Sequence, residues 1–185
     1  MTKPSLKVRR AKAGLVVIDV QERLLPAINE HERVLQNTLR LIKGAGILKV
    51  PIFVTEQYPK GLGRTAAEIR ELAEGCAAME KTRFSACGAS EFVTALKEKH
   101  IADAVLCGIE AHVCVSQTCL DLLEHGHKVF VVADAVSSRT AENCRLALNR
   151  MQQAGAIIVS TEMILFELLE EAGTDQFRHV LALVK

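Results

Sequence analysis

Tryptophan is absent from this 185-residue chain, tyrosine occurs once, and aromatic residues make up only 4% of it. A groove for single-stranded nucleic acid stacks successive bases on aromatic faces, and so few rings argue against that role. An excess of one charge is missing too: 23 basic residues stand against 22 acidic ones, a formal net charge of +1. Proteins that neutralise many phosphates carry a basic face, so no nucleic-acid partner is expected. No stretch reaches the roughly 20 consecutive apolar residues that span a bilayer, and no membrane role is expected. The basic start, MTKPSLKVRRAKAG, leads into LVVIDVQER, where Asp19 interrupts the apolar run. A secretory signal would instead continue into an uninterrupted apolar core and a small-residue cleavage site, so the expected location is the cytoplasm. The six cysteines (76, 87, 107, 114, 119 and 144) show no CxxC or CxxH spacing. Neither a zinc site nor a thioredoxin-like motif is supported, and reduced thiols suit the cytoplasm. Repeats, low-complexity tracts and Pro/Gly/Ser-rich linkers are lacking, so one domain over residues 1–185 is expected. A chain of this length buries about 70% of its unfolded surface, enough for a core without disulfide or metal.

What is present is alternation. Residues 14–20 (GLVVIDV) form a β-branched run of the kind buried on both faces of a sheet. A helix is expected over about 29–48, a strand over 51–55 (PIFVT), and a loop over 56–63 (EQYPKGLG), from its Pro and Gly content. A short helix over 65–75 follows, then 79–84, which reads equally as strand or extended loop, and a helix over 89–99. Strands at 104–107, 128–133 and 156–160 alternate with helices at about 114–124, 141–154, 162–171 and 175–183. Such alternation predicts βαβ units. The expected fold is a three-layer α/β/α domain on a mostly parallel, six-stranded, Rossmann-like sheet. Ligands of open sheets bind outside the carboxyl ends of the strands, so reactive residues just past a strand end are the ones to weigh.

Asp19 ends the first strand among Val, Leu and Ile, where a carboxylate is costly unless paired. It is either a functional group at the ligand edge or a structural cap. Cys114 lies between the 104–107 strand and the start of a helix, in VLCGIEAHVCVSQTC. A helix N-terminus favours a thiolate and its N–H groups can hold an oxyanion. The alternative is a small buried hydrophobe, the usual fate of free cysteine, which suits Cys107 and Cys119. Lys81, in MEKTRFSAC, is by itself weak, because most lysines are solvated. His112 precedes Cys114 by two residues and is a possible base for it. His125 and His127 flank Gly126 and read as surface residues, too few to close a metal shell.

Three segments together carry a resemblance: LVVIDVQERLL with Asp19, KTRFSA with Lys81, and LCGIEAHVCVSQTCLDLLEHGHKVFVVADAVSSR with Cys114. In this order they resemble the cysteine hydrolases of the isochorismatase-like superfamily. TEQYPKGLG further resembles its isochorismatase-domain-containing subgroup. The resemblance implies an Asp19–Lys81–Cys114 triad, an oxyanion hole made of the Glu110 and Cys114 N–H groups, and a cis peptide at Ile109–Glu110. In that scheme the Lys81 ammonium lowers the pKa of Cys114 and keeps Asp19 ionised, Asp19 shuttles the proton, and the thiolate forms a covalent intermediate. The resemblance also implies a small-molecule substrate and a homo-oligomer.

Two departures sharpen the expectation. Nicotinamidases of the superfamily carry a metal-binding Asp-x-His pair after the second strand. Here that place reads TEQYPKG, and no histidine occurs between His31 and His100. No metal and no cofactor are expected. Members that cleave the isochorismate ether lack the nucleophilic cysteine, so Cys114 favours cleavage of an amide or ureido C–N bond. Gln21, Glu56, Gln57, Tyr58, Phe84 and Arg139 are possible pocket residues, Arg139 either meeting an acidic substrate or capping a loop. Thr118, four residues after Cys114, is placed to bond back to a helix carbonyl. The alternatives are a thiol-reactive redox protein, for which Cys119 is a poorly placed resolving cysteine, and a non-catalytic binding or scaffold member of the fold. A dinucleotide-binding domain lacks its G-x-G-x-x-G after the first strand.

Overall fold

The β-branched runs pair side by side, in parallel, in the order β3-β2-β1-β4-β5-β6. The computed structural model describes residues 6–73 and 75–185. Residues 1–5 of the basic start, and position 74 within the helix expected over 65–75, lie outside the described residues. The strands are β1 (Ala13–Ile18), β2 (Ile52–Gln57), β3 (Met79–Lys81), β4 (Asp103–Ile109), β5 (Lys128–Ser137) and β6 (Ile157–Val159). The helices are α1 (His31–Leu48), α2 (Pro59–Leu62), α3 (Ala67–Leu72), α4 (Ser90–Glu98), α5 (Ser116–Glu124), α6 (Ala141–Gln153), α7 (Thr161–Leu169) and α8 (Asp175–Val184).

Successive strand residues point to opposite faces, and the sheet divides its side chains accordingly. Leu15 and Val17 of β1, Val105 and Cys107 of β4, and Phe130 and Val132 of β5 enter one core with α1, α7 and α8. Val16, Ile18, Leu106, Val129 and Val131 enter a second core with α4, α5 and α6. That division makes three layers and explains why β1 and β4 carry no polar alternation: both faces are covered. Among the described residues, no helix is long and apolar enough to cross a membrane.

The strand order changes direction between β1 and β4, and this is where ligands collect in open α/β sheets. The two strands come very close there. Gly108 has φ +130°, and a Cβ on it would stand 2.1 Å from the Ile18 carbonyl oxygen, so no larger residue fits.

Some boundaries differ from the sequence expectation, each for a local reason. Glu56 and Gln57, expected in a loop, extend β2 because they pair with Glu80 and Lys81 of β3. The ambiguous stretch 79–84 is thereby a short edge strand followed by loop. Residues 59–62 close one helical turn. β5 continues past Ala133 to Ser137, because a register shift between Leu106 and Gly108 lets it resume pairing with Gly108 and Ile109. The helix after β4 is preceded by a wide π-turn over Ala111–Val115. Among the described residues the peptide bonds are trans, including Ile109–Glu110; the turn expected from a cis bond is made by Glu110 in the left-handed region, at φ 55°.

Candidate active site

Three strand ends turn through left-handed residues: Asp19 after β1 (φ 54°), Tyr58 after β2 (φ 38°) and Glu110 after β4. Non-glycine residues rarely adopt this conformation, and such strain concentrates at functional sites. Here it turns the chain sharply at the C-terminal edge and leaves the Asp19 carboxylate wholly buried.

That carboxylate is fully partnered. Thr55 Oγ1 donates to Asp19 Oδ1 at 2.7 Å, and Lys81 Nζ donates to Oδ2 at 2.6 Å. Lys81 comes from β3, two strands away from β1, and its side chain crosses the end of β2 to arrive. On the way it donates to Gln57 Oε1 at 2.7 Å, and it meets the Phe84 carbonyl at 2.9 Å. An ammonium has three hydrogens and no acceptor, so these three close contacts use all of them. Gln57 is held in turn: its Nε2 donates to the Thr82 carbonyl and its backbone N–H to Gln21 Oε1. Gln21 Nε2 donates to the carbonyls of Gln57 and Gly63. Buried charges persist only when paired and hydrogen-bonded, and this network supplies both.

Cys114 sits in the π-turn after β4, 5% exposed. Its thiol is pushed up to about 12, first by burial and then by the charge of the Asp19 carboxylate; Lys81 pulls the other way and Glu110 adds to the rise. The sequence expectation of a lowered thiol is thus corrected in sign. Lys81 spends its charge on Asp19 at contact distance, so the thiol feels a nearly neutral ion pair while it loses hydration. Cys107 and Cys119 are pushed up to about 12 by burial as well.

The other expected residues separate into groups. Gln21 and Gln57 join Lys81 and Asp19. Glu56, one residue from Gln57 on the strand, faces the opposite side, where its carboxylate accepts from the Thr65 N–H and hydroxyl at 2.6 and 2.7 Å. Tyr58 and Phe84 carry half-exposed rings, 55% and 52%; Phe84 reaches Lys81 only through its backbone. Arg139 pairs with Glu110, Nε to Oε1 at 3.1 Å. His112 has its ring nitrogens against Ser138 Oγ at 3.0 Å and Arg139 Nη2 at 3.3 Å, so both are engaged away from any role as base for Cys114. Thr118 does not bond back along its helix; its hydroxyl accepts from the Ala86 N–H at 2.9 Å. Thr55 and Ser138 were not expected. Thr55 was foreshadowed only by the polar pair Thr55 and Gln57, two apart, at the end of an apolar run.

Comparison with known proteins identifies the family. Residues 13–163 match the isochorismatase domain. The chain is 39% identical over 166 residues to isochorismatase domain-containing protein 2 of Danio rerio, covering 90% of this chain and 83% of that one. It is 39% identical to the secreted isochorismatase effector Isc1 of Phytophthora sojae, over 92% of this chain and 83% of the relative. The structure described as MAR1 ribonuclease from Caenorhabditis elegans superposes with a TM-score of 0.91 at 40% identity, covering 96% and 92% of the two chains. Escherichia coli YcaC, described as an octameric hydrolase of unknown specificity, superposes with a TM-score of 0.88 at 25% identity, covering 99% and 89%. With a domain match across most of its length and relatives this close over nearly all of it, the chain belongs to the isochorismatase family of hydrolases.

Proposed function

We propose that this chain is a cysteine hydrolase that cleaves a small amide or ureido-type C–N bond through a covalent Cys114 intermediate, with no cofactor. The observation that carries the reading is the buried Lys81–Asp19 ion pair at 2.6 Å, near enough to the buried Cys114 for both charges to act on its thiol. A thiol held protonated by its surroundings is a poor nucleophile on its own. Attack therefore requires proton transfer to Asp19 as the Sγ–C bond forms. Lys81 donates to the carboxylate at 2.6 Å and holds it in place to take that proton.

The Cys114 Sγ adds to the carbonyl carbon while Asp19 takes the thiol proton, and the carbonyl oxygen becomes an oxyanion. The N–H groups of Glu110 and Cys114 stabilise it. The C–N bond breaks, and Asp19 returns the proton to the leaving nitrogen, which departs as a neutral amine or ammonia. Water then attacks the thioester, Asp19 accepts its proton, and collapse of the second tetrahedral species breaks the C–S bond. The proton returns to sulfur, and the acid product leaves.

The enzyme is read as one domain over residues 1–185 and as a homo-oligomer in the cytoplasm, with Gln21 and Gln57 supporting Lys81. The octameric E. coli neighbour supports assembly, and light scattering on the purified protein measures it. Because a C. elegans relative is described as a ribonuclease, RNA belongs among the tested substrates. The decisive experiment incubates wild type, Cys114→Ala and Asp19→Asn with a panel of primary amides and carbamoyl compounds, and separately with RNA. Ammonia release that both variants abolish, with an acyl adduct on Cys114 by mass spectrometry, supports the reading. RNA cleavage that survives in Cys114→Ala, without amide turnover, overturns it.

A further inference from the structure

Beside Cys114 lies a cluster of side chains that the mechanism above does not use. Glu110, whose N–H the proposed mechanism assigns to the oxyanion hole, turns the chain at φ 55°. Its carbonyl accepts from the Val113 N–H at 2.9 Å and, more weakly, from Val115 at 3.4 Å, so its backbone organises the whole turn that carries Cys114. Its carboxylate is nearly buried, 12% exposed. It is gripped by Arg139 at 3.1 Å and approached by His112 at 3.5 Å. Arg139 lies just past the end of β5, whose last residue, Ser137, pairs with Ile109, the residue before Glu110. Ser138 adds a second tie, because its hydroxyl accepts from the His112 N–H at 3.3 Å. The ends of β4 and β5 are thus joined by side chains where backbone pairing stops.

An arginine serving as a substrate clamp would offer its planar fork to the ligand. Here Nε is spent on Glu110 and Nη2 on His112. We propose that Arg139 is a positioning residue that holds the oxyanion turn in place through the Glu110 carboxylate. The inference rests on the reading of Cys114 as nucleophile, and it assigns the exposed arginine a role in stabilising the transition state from a distance. Without the guanidinium, a nearly buried carboxylate loses its one permanent cation and turns toward water, drawing the Glu110 N–H out of line.

The test compares two reactions of the same sulfur in the intact protein. Acylation of Cys114 by p-nitrophenyl acetate builds an oxyanion. Alkylation by iodoacetamide is displacement at a saturated carbon and builds none. In Arg139→Met we expect the acylation rate to fall about ten- to a hundredfold, the range that follows from misplacing or losing an oxyanion donor, with alkylation within about twofold of wild type. Arg139→Lys keeps the charge without the fork and recovers part of the loss. An unchanged ratio of acylation to alkylation in Arg139→Met, with a normal wild-type adduct, overturns this proposal alone. Equal loss of both reactions in both variants overturns it too, as a merely structural role. If wild type forms no acyl adduct on Cys114, the nucleophile reading fails and this inference falls with it.

Discussion

Lys81 lies on β3 and Asp19 just past the end of β1, strands that do not pair, yet their side chains meet at 2.6 Å across the end of β2. Breaking one side of a buried pair leaves the other charge stranded, at a cost of about 3–5 kcal/mol. Lys81→Met is therefore expected to unfold at markedly lower denaturant concentration than wild type. The double variant Lys81→Met/Asp19→Asn removes both charges and should regain much of that loss. A double variant no more stable than Lys81→Met in urea titration would mean the ion pair is not the source of the cost.

Reactivity of Cys114 should carry the signature of a raised thiol. Below about 12 the group is mostly protonated, so its alkylation rate should climb about tenfold per pH unit from pH 7 to 10 without a plateau. Lys81→Met removes the one lowering influence and should slow alkylation at fixed pH. Peptide mapping separates Cys114 from the other five cysteines. A plateau near neutral pH would show that the thiol is not raised.

The same burial makes stability depend on alkaline pH. Cys107, Cys114 and Cys119 are each raised from 9.0 to about 12 in the folded chain. Between these values the folded state holds protons that the unfolded state has lost. The contribution of each thiol is thus full below about pH 9 and declines as pH rises toward 12. Urea midpoints at pH 8 and 10.5 should differ in that direction. Cys119→Ala should flatten the slope by about one proton.

Gly108→Ala tests the contact between β1 and β4. The added methyl would meet a backbone oxygen at 2.1 Å, at a φ of +130° that alanine avoids. Overpacking and backbone strain together should cost more than about 2 kcal/mol, read as a lowered melting temperature. A variant of wild-type stability would show that the strands can part without penalty.

The sheet was legible because its strands are continuous apolar runs: β1 and β4 are covered on both faces, which leaves no ambiguity of period. The catalytic candidates were legible unequally. Asp19 and Cys114 stand at strand ends that the residues themselves mark out. Lys81 emerged only through family resemblance, since it lies on a three-residue edge strand too short to show a pattern. Misplacing the end of β2 hid the alternation that sends Gln57 to Lys81 and Glu56 to Thr65. The sign of the Cys114 shift was missed because burial, its largest cause, is a property of packing. Arg139 finds Glu110 only through a register shift between β4 and β5, which no local signal announces.

The strand order also bears on synthesis. β1 is made first but lies in the middle of the sheet, and its partner β4 begins only at Asp103. Until the ribosome has delivered that segment, the half-sheet β3-β2-β1 has a wholly apolar strand as its rim, an edge that invites pairing with other chains. The nascent protein is thus most vulnerable to aggregation just before Asp103 emerges, and slowing elongation before that residue should raise its demand for chaperones.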